Sequence, residues 1–301
     1  MNVPFINVTR FLMALALSCL AMVTSANTLE RVRNSHTLVL GFRPDLAPFT
    51  NADGNQARGY AIDLCLMIAD RLKNELGVPD LDVRYQSVTA AQEVNAVSSG
   101  KVDILCTPTA QTVARRKLVS YSIPVYTAGL SVIVRKDANQ ALLNVLNGHA
   151  ANTGPTWRAT VNRGLANQTY ASIEGGVTEE WIRQKMRLLG VIATLTTVSD
   201  NNQGLRLVAE GKASAFFSER ILLRHEIAKQ GEDGQLMLLD RIFEYLPVAM
   251  MVDRYDEDFR LLVDSALSEG YRSGAIERNY ENYLGGANDM VKSLFKLYTL
   301  P

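Results

Sequence analysis

Between Thr37 and Cys106, short apolar runs alternate with helix-length amphipathic stretches, and that alternation restricts the chain to few folds. Thr37–Phe42 reads as a strand ending at Arg43-Pro44-Asp45. After Gly59-Tyr60, the residues Leu64, Ile68 and Leu72 recur at helical spacing, and the pattern stops at Gly77-Val78-Pro79. Residues 82–85 form a second strand, 91–98 a helix and 102–106 a third strand. Strands separated by helices pair in parallel, because a crossover is needed to bring the chain back alongside itself. The expected class is α/β, with doubly wound sheets and ligand sites at the carboxyl ends of the strands. Arg43 and the turn after Cys106 both follow strands, so both are expected at one crevice.

The pattern changes beyond Tyr126. Leu130-Ser131-Val132-Ile133-Val134 is an extended apolar run fit to cross into a second lobe, and 245–252 is fit for a second crossing. Residues 139–168 are rich in Asn, Gly and Ala without clear periodicity, and Gly154-Pro155-Thr156-Trp157 reads as a turn. Order resumes with a strand over 169–173, a Gly175-Gly176 turn, and a helix start capped by Thr178. The free amides of such a start suit a carboxylate, while Glu179 and Glu180 fit a plain capped helix equally well. A helix near 205–210, a strand over 213–217 ending at Ser218-Glu219-Arg220, and an amphipathic tail over 259–283 follow.

The beginning of the chain carries a processing signal. Arg10 precedes an apolar run over 11–23, and Thr24-Ser25-Ala26 supplies small residues for cleavage after Ala26. That run is shorter than the roughly 20 residues a spanning helix takes. An uncleaved anchor is the alternative; Cys19 follows a poor lipobox. The product is expected to be exported and soluble. Loss of 1–26 removes one of 31 basic residues and no acid, leaving 30 against 31 and a charge near −1. That balance gives no electrostatic pull toward nucleic acid. Two cysteines remain, Cys65 and Cys106, which an oxidising compartment would join; two separate buried thiols are the other reading. His36, His149 and His225 are scattered without ligand spacing, so no metal and no cofactor are expected.

The chemistry concentrates in Cys106-Thr-Pro-Thr-Ala-Gln-Thr-Val-Ala-Arg115 and the following Tyr121-Ser-Ile-Pro-Val-Tyr126. A buried strand runs into a polar turn that holds one arginine beside several hydroxyls. A guanidinium fork so placed suits two-point capture of a carboxylate. Arg115 read as a surface ion pair, and Arg43 as a solvated strand-end charge, are the plainer alternatives.

In order and spacing, Gly41-Phe42-Arg43…Pro48-Phe49, Gly59-Tyr60-Ala61-Ile62-Asp63-Leu64-Cys65, Asp103-Ile104-Leu105-Cys106, Thr112-x-x-Arg115 and Tyr121-Ser122-x-Pro124-x-Tyr126 resemble the family 3 extracellular solute-binding proteins. These are periplasmic amino-acid receptors of ABC transporters, and the glutamate/aspartate-binding subgroup is the nearest likeness. The resemblance implies a type II periplasmic binding fold. Its two lobes, 27–126 plus 248–301 and 127–247, would each be a doubly wound sheet and be joined by two crossing strands. It implies a monomer that captures a polar amino acid, in this subgroup an acidic one, by lobe closure, and delivers it to an inner-membrane permease without enzymatic chemistry. Arg115 matches the clamp on the α-carboxylate, Thr178 its second-lobe donor, Glu219 the acid for the α-ammonium, and Tyr60 an aromatic wall. Arg43 would attract a side-chain carboxylate. Thr109, Ala110 and Asn201 complete the implied site, with departures. Ala110 lacks the hydroxyl relatives place there, Pro108 lacks an amide, and Asn201 stands where the subgroup can carry a histidine. Leu46 replaces an aromatic, and Glu219 is longer than the usual aspartate. Rival readings are a small-acid dehydratase on the same fold, using Glu219 or Glu174, and a ligand sensor without transport.

Overall fold

A computed structural model describes residues 27–150, 164–230 and 234–301. The expected signal segment 1–26 and the expected turn at 154–157 lie outside them. Helix α1 (Thr28–Ser35), capped by the Asn27 side chain on Leu29 N, leads into β1 (Thr37–Phe42). A small antiparallel sheet of β2 (Asp45–Leu46), β3 (Thr50–Asp53) and β4 (Gln56–Arg58) precedes α2 (Tyr60–Leu76) and β5 (Asp82–Ser87). That small sheet is invisible to periodicity, since its strands are two to four residues long.

A 3-10 turn at Ala90–Gln92 then feeds α3 (Glu93–Ser98) and β6 (Ile104–Ala110). A second 3-10 turn, Arg115–Lys117, leads to β7 (Val119–Tyr121) and the long β8 (Tyr126–Arg135). Next come α4 (Gln140–Leu146), β9 (Thr169–Ile173), α5 (Val177–Leu189), β10 (Thr194–Val198) and α6 (Asn201–Ala209). They are followed by β11 (Ala215–Glu219), α7 (Arg220–Gln230), β12 (Leu236–Leu238) and the long β13 (Glu244–Asp253). Helices α8 (Glu257–Arg272), α9 (Ala275–Leu284) and α10 (Asp289–Tyr298) close the chain.

The main sheet runs β10-β9-β11-β8-β13-β6-β1-β5. Its two ends are parallel: β1 pairs with β5 and β6, and β9 with β10 and β11. Between them β8 and β13 are antiparallel and bonded to each other over Tyr126–Leu130 and Glu244–Val248. Each then leaves in the opposite direction, β8 to β11 and β13 to β6. The α/β, two-lobed arrangement with two crossing strands is thus what the chain adopts.

Core composition follows the same division. Leu38 and Leu40 alternate along β1 to meet Leu64, Ile68 and Leu72 of α2, with Phe259, Leu267 and Tyr280 of the C-terminal helices packed on the same mass. Ile133, Val208, Phe216 and Leu223 form a separate core around β11. Cys65 on α2 and Cys106 on β6 are joined by a disulfide, with Cα atoms 6.0 Å apart. Gly59 caps α2 at φ 127°, and a Cβ there would meet the Phe49 carbonyl oxygen at 2.4 Å. No helix among the described residues is long and apolar enough to cross a membrane.

Candidate functional site

A cavity of about 140 Å³ lies between the two parallel ends of the sheet. Its walls come from the carboxyl ends of β1 and β6 on one side and from β11 and the starts of α5 and α6 on the other. The volume is below the roughly 300–1,000 Å³ of drug-sized sites and suits a small metabolite.

Arg43 follows β1 and is held on three sides. Its backbone N–H donates to Thr107 Oγ1 at 2.9 Å, and its carbonyl accepts from Thr50 Oγ1 at 2.7 Å. Its guanidinium grips Asp45 in two-point geometry, Nε to Oδ1 at 3.3 Å and Nη2 to Oδ2 at 2.8 Å. The group is therefore buried and paired, rather than a solvated strand end. Along β6, Thr109 and Ala110 line the cavity, and Thr109 Oγ1 donates to the Thr107 carbonyl at 3.1 Å.

Arg115 opens the 3-10 turn beyond β6, fixed by its N–H to Thr112 Oγ1 at 3.1 Å. Its Nη2 crosses to the Gly175 carbonyl at 3.1 Å. Its Nη1 is buried with no hydrogen-bond partner and lies 3.6 Å from Glu93 Oε2. Glu93 itself is only 4% exposed and lines the cavity. Burial pushes its carboxyl above the ordinary range, while Arg115 and then Arg43 pull it back down.

The opposite wall holds Thr178, Asn201 and Glu219. Thr178 does not cap α5 as expected. Gly176 occupies the cap position without a side-chain bond, and Glu179 Oε2 takes the Gly175 N–H at 2.9 Å, so Thr178 falls inside the first turn. Asn201 opens α6, is buried, and accepts from Ser218 Oγ at 2.9 Å. Glu219 ends β11. Its Oε2 accepts from Ile221 N at 2.7 Å and Leu222 N at 3.0 Å, and its Oε1 from Gly129 N at 3.4 Å and Tyr126 Oη at 3.3 Å. Burial lifts its carboxyl to about 7 despite those four donors.

Tyr60 departs from expectation. It opens α2 fully buried, donates its hydroxyl to the Val125 carbonyl at 2.7 Å, and meets Phe49 and Tyr280 edge-on, outside the cavity lining. The Gly59 turn aims it at the core, and the aromatic hydroxyl that reaches Glu219 belongs to Tyr126. Glu93, by contrast, carries no sequence signal beyond an acid in a first helical turn, which reads as ordinary surface.

Among the described residues, the cavity lining holds two guanidinium groups, two carboxyls and several hydroxyl or amide groups, but no histidine, cysteine or lysine. Such a set carries both signs of charge, as pairing with the two charged groups of a small zwitterion requires.

The bacterial extracellular solute-binding proteins, family 3, match residues 38–286. An L-glutamate/L-aspartate-binding protein of Pseudomonas aeruginosa is 26% identical over 258 residues, 85% of this chain and 79% of that protein. A glutamate/aspartate import solute-binding protein of Escherichia coli K12 is 24% identical over 306 residues, 95% and 94% of the two chains. The crystal structure of a cysteine-binding protein from Campylobacter jejuni superimposes with a TM-score of 0.68 at 19% identity, covering 87% of this chain and 96% of that one. The fold is that of the type II periplasmic amino-acid-binding proteins. With the match spanning both lobes and the cavity between them, the chain belongs to the bacterial extracellular solute-binding proteins, family 3.

Proposed function

We propose that this protein captures a polar α-amino acid between its lobes, 27–126 plus 248–301 and 127–247, and hands it as a monomer to an ABC permease in the inner membrane. The supporting observation is Arg115, which lines the cavity with its Nη1 buried, 3.6 Å from Glu93 Oε2 and without a hydrogen-bond partner. A buried N–H left unmade costs about 1–3 kcal/mol, which an α-carboxylate would recover. Thr178 and the amides of the α5 start lie on the facing wall for the same carboxylate. Glu219 on the same wall is assigned to the α-ammonium, its carboxylate carrying the opposite charge. Arg43, with Thr109 and Ala110 on its own wall and Asn201 on the facing one, receives the side chain. Its guanidinium and the two relatives named for glutamate and aspartate support an acidic ligand.

Ligand contacts made only in the closed form shift the lobes toward it. Export to the periplasm follows from cleavage after Ala26. Calorimetric titration of the mature protein with glutamate, aspartate, glutamine and simple dicarboxylates tests the reading. Binding of none of the amino acids would overturn it. Tight binding of a cationic amino acid alone would remove Arg43 from its role.

A further inference from the structure

Glu93 is the one cavity carboxyl to which the amino-acid reading gives no task. The charged groups around it can be taken element by element. Arg43 faces it from the end of β1, tied to Asp45 of β2. Arg115 faces it from beyond β6 at 3.6 Å. Tyr121 of β7 stands beside that pair, with its hydroxyl donating to the Ala110 carbonyl at 3.4 Å. Glu219 of β11 lies on the opposite wall, and the starts of α5 and α6 bring Thr178 and Asn201, which carry no charge. With every acid ionised, two guanidinium cations meet three carboxylates, Asp45, Glu93 and Glu219, a sum of −1.

A zwitterion with an uncharged side chain leaves that sum unchanged. A zwitterion with an ionised side-chain carboxylate takes it to −2, inside a cavity whose walls are largely buried. Like charges brought together away from water are disfavoured strongly enough that one of them takes up a proton instead. Arg43 cannot offset the second negative charge alone, because Asp45 already neutralises it at 2.8 Å.

We infer that Glu93 selects the ligand's side chain by charge: an acidic amino acid enters this cavity together with a proton shared at Glu93, and the corresponding amide enters without one. Glu93 is also well placed to accept from an amide NH₂, having the free lone pairs that such a donor needs. The inference rests on the amino-acid reading of the cavity and deepens it, naming the residue that separates acid from amide.

The test compares glutamate with glutamine, which share their α-groups, so any titration of Glu219 against the α-ammonium cancels in the ratio of their affinities. In wild-type protein, titrations in two buffers of different ionisation enthalpy should record about one proton more taken up with glutamate than with glutamine at neutral pH. The glutamate-to-glutamine affinity ratio should fall as pH rises, approaching about tenfold per pH unit. In Glu93→Gln the ratio should become flat with pH and shift toward glutamate. The proton count needs no variant, so a Glu93→Gln protein that fails to fold leaves the test intact. Glutamine binding with a pH-independent ratio in wild-type protein overturns the inference alone, as does glutamine binding with glutamate refused across the whole range. Failure of both to bind while aspartate binds overturns the inference alone; failure of all three overturns the amino-acid reading and takes this inference with it.

Discussion

Arg115 reaches across the cleft to the Gly175 carbonyl with Nη2 at 3.1 Å, while Nη1 of the same guanidinium is buried without a hydrogen-bond partner. One side chain thus ties the turn after β6 to the turn before α5 while lining the cavity. Its fork is planar and rigid, so the bond to Gly175 also fixes where the free N–H points.

Arg115→Ala is expected to weaken amino-acid binding by about 2–5 kcal/mol, the range for truncating one partner of a buried charge-assisted pair. Calorimetric titration measures it. Wild-type affinity in this variant would mean that the carboxylate binds elsewhere.

Tyr60→Phe should cost about 1–2 kcal/mol of stability, because the buried Val125 carbonyl loses its donor at 2.7 Å. Ligand affinity should not change, since the ring lies outside the cavity lining. Urea denaturation and titration on the same preparation separate the two effects; a loss of affinity at full stability would put Tyr60 back at the site.

The Cys65–Cys106 bridge closes a loop of 41 residues between α2 and β6. Constraint of the unfolded chain over such a loop is worth about 2–4 kcal/mol. The double variant Cys65→Ala, Cys106→Ala should therefore unfold at lower urea concentration. An unchanged midpoint would show that core packing alone sets the stability of this lobe.

Glu219 makes stability depend on pH. Its carboxyl is raised from an ordinary 4.5 to about 7 by burial. Between those values the folded protein keeps a proton that the unfolded chain has released, so unfolding becomes easier as pH rises. The contribution is fully present below about 4.5 and is lost as pH climbs through about 7. It amounts to roughly 3 kcal/mol at most. Melting temperatures from about pH 5 to about pH 8 should decline in wild-type protein and decline less in Glu219→Gln. The same slope in both would assign the effect to another buried acid, Glu93 first among them.

What the sequence made legible has a physical pattern. Long periodic elements such as α2, and strands whose apolar runs end in a polar turn, could be read because burial imposes a repeat on them. Arg43, Arg115, Asn201 and Glu219 could be placed because each follows or begins such an element, and strand and helix ends converge on the same crevice. The strands β2, β3 and β4 are too short to show alternation. Tyr60 was misplaced because one position along a helix start decides whether a ring faces core or cleft, and the Gly59 backbone decides it here. Glu93 escaped notice because its burial is conferred by distant partners, Arg115 above all, that no local pattern encodes. Thr178 missed the cap for a similar reason: Glu179 reaches back to Gly175 and starts the helix earlier.

The two long strands β8 and β13 have one further consequence. Bonded to each other where they pass between the halves, they form a ribbon two strands wide and one residue thick. A ribbon of that shape bends easily across its face and resists being sheared or stretched in its plane. In the closure proposed above the halves would swing about this ribbon, and a small displacement there would be magnified at the rim, in proportion to its distance from the pivot. A molecule no larger than an amino acid, bound as proposed between the halves, would act through that lever.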